Sequence, residues 1–152
     1  MLLSDILTPA RIRVPIQARD KPSVLRELVG LAVGNGGGPE FDEALAAVEA
    51  REALLSTGMG YGIAIPHGKC ASVPELRLAA GTAPEPVGFD ALDGQPVRLF
   101  FLLIGPESAS GTHVKALSRI SRLVRSEQIR ERLLRARDPE EFYRFLCEAE
   151  SR

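Results

Sequence analysis

Two histidines stand in the whole chain, and the setting of each suits a neutral imidazole beside an anion. His67 lies between Pro66 and Gly68, after the run Gly62-Ile63-Ala64-Ile65. Proline fixes φ on one side and glycine admits a close neighbour on the other, so the frame holds the backbone while the ring points outward. His113 falls at the start of a predicted helix, where the positive end of the helix dipole disfavours an imidazolium and attracts anions. A neutral imidazole nitrogen is a good nucleophile near pH 7, because its ordinary pKa is about 6.5. A phosphoryl group reaching it passes through a loose, in-line transition state whose charge needs positioned donors. Arginine suits that task, being always charged and forked to match phosphate oxygens. Arg51, shortly before the glycine-rich stretch Gly58-Met59-Gly60-Tyr61-Gly62, is the best-placed candidate.

Each of these residues has a plainer reading. A histidine after proline and before glycine also serves as a turn residue. His113 alone reads as a helix-terminal residue, Arg51 as a solvated charge, and the glycines as a loop. Spacing by itself does not join them into a site.

The elements that would have to position them follow from periodicity. Residues 13–16 read as a short edge strand, which tolerates Pro15. Val24, Leu25, Leu28, Leu31 and Ala32 mark a helix over residues 22–33, stopped by the run Gly34-Asn35-Gly36-Gly37-Gly38. Phe41, Ala44, Leu45 and Val48 repeat at helical spacing and predict a second helix, with acidic residues at its positive end and its stop before Ser56. Ile63-Ala64-Ile65 is a strand closed by Pro66, leaving His67 at its end. Residues 77–82 form another strand, followed by a Pro- and Gly-rich connection. Residues 97–104, Val-Arg-Leu-Phe-Phe-Leu-Leu-Ile, make the strongest strand, and its apolar continuity implies cover on both faces and a central place.

The remainder reads as helical. Ser110 or Thr112 caps a helix to about Val124 with Val114, Leu117, Ile120 and Val124 facing inward. Ser126 opens a helix through Leu134. Asp138-Pro139-Glu140-Glu141 resembles a capping box before a last helix that buries Phe142, Phe145 and Leu146. Alternating strands and helices point to a layered α/β or α+β domain, and no repeat or linker divides it: residues 1–152 are expected to form one domain.

Composition removes several function classes. The chain has 152 residues, 45% hydrophobic and 26% charged, as in ordinary globular domains. Its 19 Lys and Arg against 20 Asp and Glu leave a net charge of −1, without the basic excess of a nucleic-acid binder. No segment approaches the roughly 18 apolar residues of a membrane span. The N-terminus lacks the basic region and cleavage site of a secretory signal, so a cytoplasmic protein without membrane insertion is expected. Cys70 and Cys147 are expected to be reduced. His67, Cys70 and His113 supply only half of a zinc pattern, and neither a dinucleotide fingerprint nor a phosphate-loop motif is present. No metal or cofactor is therefore expected. Lys115, Arg119 and Arg122 form a basic stripe at i, i+4 and i+7, read as a solvated face or as a contact for an acidic partner. Ile63 is expected in the sheet; Met59 and Tyr61 are left between burial and docking.

The stretch Arg51-Glu-Ala-Leu-Leu-Ser-Thr-Gly-Met-Gly-Tyr-Gly-Ile-Ala-Ile-Pro-His67-Gly closely resembles the signature of the fructose/mannitol-type IIA family of the bacterial phosphotransferase system. The segment Gly111-Thr-His113-Val-Lys-Ala-Leu, the opening Leu-Ser-Asp-Ile-Leu and the Phe89-to-Val97 stretch extend the resemblance over nearly the whole chain. It implies an α/β/α three-layer fold of the α+β class, a mixed β-sheet flanked by helices on both faces. It also implies that His67 accepts a phosphoryl group from the phosphorylated histidine carrier protein HPr. His113 falls on the family's second active-site histidine and Arg51 on its charge-supporting arginine. A donor that is already a phosphohistidine makes ATP and metal unnecessary. The phosphoryl group then passes to a IIB domain or serves regulation in the nitrogen-related branch, the reading favoured here. The alternatives are an interaction module that keeps the fold but signals by binding, and a metal-dependent hydrolase built on the histidines.

Overall fold

A computed structural model describes residues 1–34 and 38–151. Two short 3-10 turns, Leu3–Asp5 and Pro9–Arg11, lead into strand β1 (Ile12–Arg13). Helices α1 (Lys21–Val33) and α2 (Pro39–Leu54) follow, then the short strands β2 (Gly58–Gly60), β3 (Ile63–Ala64) and β4 (His67–Lys69). The long strands β5 (Arg77–Val87) and β6 (Val97–Gly105) precede the turn Glu107–Ala109 and helices α3 (Ser110–Val124), α4 (Glu127–Leu134) and α5 (Pro139–Glu150).

Local chemistry accounts for the helix starts. Asp20 accepts from the Ser23 amide at 2.9 Å and Pro22 occupies the first turn of α1. Ser126 and Asp138 cap α4 and α5 in the same way. The expected capping box is only half made, because the Glu141 carboxylate accepts from the Arg137 amide rather than from Asp138. Neither Ser110 nor Thr112 caps α3 as expected; both hydroxyls donate backward, to the carbonyls of Glu107 and Ala109. Gly34 ends α1 at φ 97°, a conformation that favours glycine. The predicted stop at residues 35–37 lies outside the described residues.

The strands form one mixed sheet in the order β1-β5-β6-β3-β2, with β4 also pairing β6. β5 runs antiparallel to β6, while β1 is parallel to β5, and β3 and β4 are parallel to β6. β6 is central, as its apolar run predicted. Val97, Phe100, Leu102 and Ile104 pack into a core with α1 and α2. Leu99, Phe101 and Leu103 pack into the opposite core with α3, α4 and α5. The expected three layers of an α+β fold are therefore present.

Three boundaries differ from expectation. The edge strand is Ile12–Arg13, shifted toward the N-terminus of the predicted 13–16. β5 continues past Thr82 to Val87 through Pro84 and Pro86, because its register with β6 breaks between Thr82 and Val87 and demands no amide from either proline. Pro66 interrupts its strand rather than ending it: the Pro66 carbonyl accepts from the Leu103 amide at 3.0 Å, and pairing resumes at His67 opposite Leu103.

Helix α3 is also turned from its predicted face. Its buried residues are His113, Ala116, Ile120 and Val124, whereas Val114 is exposed and Leu117 only partly buried. Hydropathy alone favours Val114 and Leu117 as inward residues. The helix instead seats a small alanine and the second histidine against the sheet, and the two larger apolar side chains face an open cleft. In α5, Phe142 and Leu146 are fully buried and Phe145 partly so. Ile63 is in the core, Met59 packs at its margin, and Tyr61 is exposed beneath the Arg130 guanidinium. Among the described residues no helix is long and apolar enough to cross a membrane.

Candidate active site

The three predicted residues arrive from three elements and line one cleft of about 490 Å³, together with Ala47, Gly68, Lys69, Val114 and Leu117. His67 opens β4, beside the C-terminal end of β6, and β6 leads through one short turn into α3, whose fourth residue is His113. Crevices beyond the C-terminal ends of parallel strands are the usual ligand sites of open sheets. The two rings meet edge to face with centroids 5.5 Å apart. Arg51 stands at the C-terminal end of α2 across from them.

Gly68 explains how α2 comes so near. A Cβ at that position would lie 3.1 Å from the Ala47 carbonyl carbon and the Val48 amide nitrogen. Only glycine admits the α2 backbone at this distance without displacement, and Arg51 is one helical turn beyond Ala47. The close neighbour expected beside Gly68 is thus a helix of the same chain.

His67 is half-buried, and its Nδ1 lies 2.7 Å from the Ile65 carbonyl oxygen. A carbonyl only accepts, so Nδ1 carries the proton and the lone pair of the neutral ring sits on Nε2. Burial lowers the His67 pKa below its ordinary value, opposed by the Ile65 hydrogen bond and reinforced by Arg51. His113 is 4% exposed. Burial, then His67 and Lys69, push its pKa down to about 4. Both rings are therefore uncharged near neutrality.

The Arg51 Nη1 donates to the Leu55 carbonyl at 2.7 Å, which holds the guanidinium in place by one of its five N–H groups. Lys69 brings a second cation to the cleft. Its ammonium lies 3.8 Å from the Glu107 carboxylate, which is 82% exposed, so that pair binds weakly and leaves the lysine available. Sequence reasoning passed over Lys69, although residues two apart on a strand share a face and place it beside His67. It also passed over Glu52, whose position continues the buried Leu45 and Val48 stripe of α2.

Other features resolve more simply. Arg119 of the basic stripe is paired with the buried Glu150 carboxylate at 2.9 Å, while Lys115 and Arg122 remain exposed. Cys70 and Cys147 are free thiols. Among the described residues no group of three or more His, Cys, Asp or Glu side chains is arranged to hold a metal ion. A second depression, about 460 Å³ between α4 and α5, is lined by Ile129, Leu133, Phe145 and arginines and contains no nucleophile.

A sequence match to the family described as the phosphoenolpyruvate-dependent sugar phosphotransferase system, EIIA 2, spans residues 5–149. The chain belongs to that family. Among relatives of this EIIA chain, the nitrogen regulatory protein of Bradyrhizobium diazoefficiens is 37% identical over 97% of the chain and 95% of its own length. The fructose-specific EIIABC component of the Bacillus subtilis phosphotransferase system is 39% identical over 90% of the chain, which spans only 21% of that longer protein. The crystal structure of the nitrogen regulatory protein IIA-Ntr from Neisseria meningitidis superposes with a TM-score of 0.87 at 35% identity, covering 95% of this chain and 98% of that one.

Proposed function

We propose that this EIIA-family protein is a phosphocarrier in which His67 Nε2 accepts a phosphoryl group from a phosphohistidine on an HPr-like carrier. The observation that carries the reading is the 2.7 Å contact between His67 Nδ1 and the Ile65 carbonyl, because it commits the lone pair to Nε2 in a cleft shared with His113, Arg51 and Lys69. In the transfer step the donor's P–N bond breaks as the His67 Nε2–P bond forms in line. The donor imidazole departs neutral, and positive charge develops on the His67 ring, where the Nδ1–H bond to Ile65 strengthens. Arg51 and Lys69 offer N–H groups to the phosphoryl oxygens, and His113 stands beside them as a neutral neighbour. No proton leaves the acceptor, so the step reverses without a separate base. This is one enzyme-bound half of a group transfer, completed when a downstream acceptor takes the phosphoryl group.

The rim of the cleft fits docking by another protein. Val114, which lines the cleft, is 65% exposed, and Leu55, whose carbonyl receives Arg51, is 58% exposed, so apolar side chains stand open to a partner beside the polar groups. The acceptor is a IIB domain, as the joined components of the fructose-specific relative indicate for that system, or a regulatory target. The nitrogen regulatory relatives, matched along nearly their whole length, favour regulation for this chain.

The test is direct. Incubation with phosphorylated HPr should add one acid-labile phosphate per chain, and His67→Ala should abolish it. Labelling retained by that variant would refute the assignment. The proximity of both imidazoles and both cations favours transfer over binding alone, since an interaction module has no need of an oriented lone pair.

A further inference from the structure

We infer that Glu52 is the positioning residue of this site, holding through Thr57 both the carbonyl that orients His67 and the turn that seats Arg51. The inference rests on His67 being the nucleophile, as proposed above. Glu52 is 6% exposed, yet it sits on the helix that carries Arg51 and touches neither histidine through any hydrogen bond. Its carboxylate accepts from the Thr57 amide at 3.0 and 3.2 Å and from the Thr57 hydroxyl, and it pairs with the Lys21 ammonium at 2.8 Å. Lys21 in turn lies 4.8 Å from the centre of the Phe89 ring.

From Thr57 the connections run to both functional groups. The Thr57 carbonyl accepts from the Ile65 amide at 3.1 Å, and the Ile65 carbonyl is the one that accepts from His67 Nδ1. One carboxylate thereby holds, through Thr57, the amide of the residue whose carbonyl sets the His67 tautomer. Two residues before Thr57, the Leu55 carbonyl receives the Arg51 guanidinium. Ser56 completes the arrangement by donating to the Phe89 carbonyl at 3.1 Å. The turn between α2 and β2 is thus pinned at residues 55, 56 and 57, and its deepest pin is a charge.

That charge is held ionised against its surroundings. Burial raises the Glu52 pKa, but Lys21 and Thr57 lower it further, and the balance falls below the ordinary carboxyl value. A buried carboxylate costs stability unless fully partnered, and burying three acceptor bonds and an ion pair here buys geometry at a site that a neutral residue would leave looser.

Glu52→Gln keeps the side-chain shape but loses the charge and one acceptor, so either Lys21 or the Thr57 hydroxyl goes unpaired. Thr57→Val removes only the hydroxyl and preserves shape, and it serves where Glu52→Gln does not fold. Long-range ¹⁵N–¹H correlation at neutral pH reads the His67 tautomer directly. Wild type should show the Nδ1–H form, and each variant should gain the Nε2–H form with the thermal midpoint still cooperative. Transfer from phosphorylated HPr should lose kcat at unchanged KM, on the order of 10²-fold for Glu52→Gln, as for a misplaced reacting group. Wild-type tautomer and wild-type kcat in both variants would overturn the inference. A wild-type protein that takes no phosphate, while its His67 tautomer still responds to the variants, would instead overturn the carrier reading and leave the Glu52 role standing.

Discussion

In the proposed transfer the attacking imidazole is best kept from protonating, and burial and the Arg51 charge both act on His67 in that direction. The sign follows directly. A lowered pKa leaves the lone-pair form dominant at pH values where a free histidine, near 6.5, would already be charged. The acid limb of the pH–rate profile for transfer should therefore lie below pH 6.5, and Arg51→Met, by removing the cation, should move it upward while slowing the reaction. His113 makes a separate contribution to stability. Its pKa is about 4 in the folded chain, so between that value and about 6.5 the unfolded state binds the extra proton. Stability should be complete above pH 6.5 and should fall as pH drops toward 4. Urea denaturation across that range checks this, and His113→Asn should flatten the slope. The same variant should lower transfer by about 10²-fold if its ring serves as an oriented donor to the phosphoryl oxygens.

Among elements, the approach of α2 to β4 matters most. Gly68→Ala sets a methyl group 3.1 Å from helix backbone, which cannot swing aside as a side chain can. The expected cost is about 1–3 kcal/mol of stability, measured by chemical denaturation, with a loss of transfer as Arg51 shifts. At this scale the sequence was legible where patterns are local: the helix starts at Ser126 and Asp138, and the unbroken β6 run, all announce themselves in their own neighbourhoods. The α3 face was not, because Val114 and Leu117 obey the helical repeat as well as His113 and Ala116 do. What separates them is the neighbouring sheet, and no periodicity records it. Glu52 was hidden for a related reason. An acidic residue on a core stripe reads as an interruption until its partners, Lys21 from another helix and Thr57 from the following turn, are brought to it by folding.

The molecule as a whole is two apolar layers sharing one sheet, and β6 supplies side chains to both. Phe100 is fully buried against the α1 and α2 side, so Phe100→Ala should cost about 3–5 kcal/mol in urea denaturation. A cut of that size on either side should unfold the whole chain in one transition, since the layers have β6 in common. Alternating elements pointed only to a layered domain; the three-layer arrangement and the gathering of His67, His113 and Arg51 were expected from the family resemblance, because residues this far apart in sequence carry no local sign of meeting. Lys69 escaped because exposed lysines carry no distinguishing pattern; its place beside His67 is a matter of strand geometry. The N-terminus is tied in by Glu150, which accepts from the Leu3 and Ser4 amides and from Arg119. That knot joins the start of the chain to α5 and to the helix bearing His113.

The edge-to-face contact of the two rings, 5.5 Å apart, has a consequence for how the site would keep account of charge. In the empty cleft burial first, then the first ring and the lysine, discourage a proton on His113. A phosphoryl dianion on His67 would reverse that field at close range. The loaded protein should then draw a proton from solvent onto His113, so that filling the site is linked to acid uptake. Discharge would return both together, and a downfield migration of the His113 ring signals on loading would reveal it.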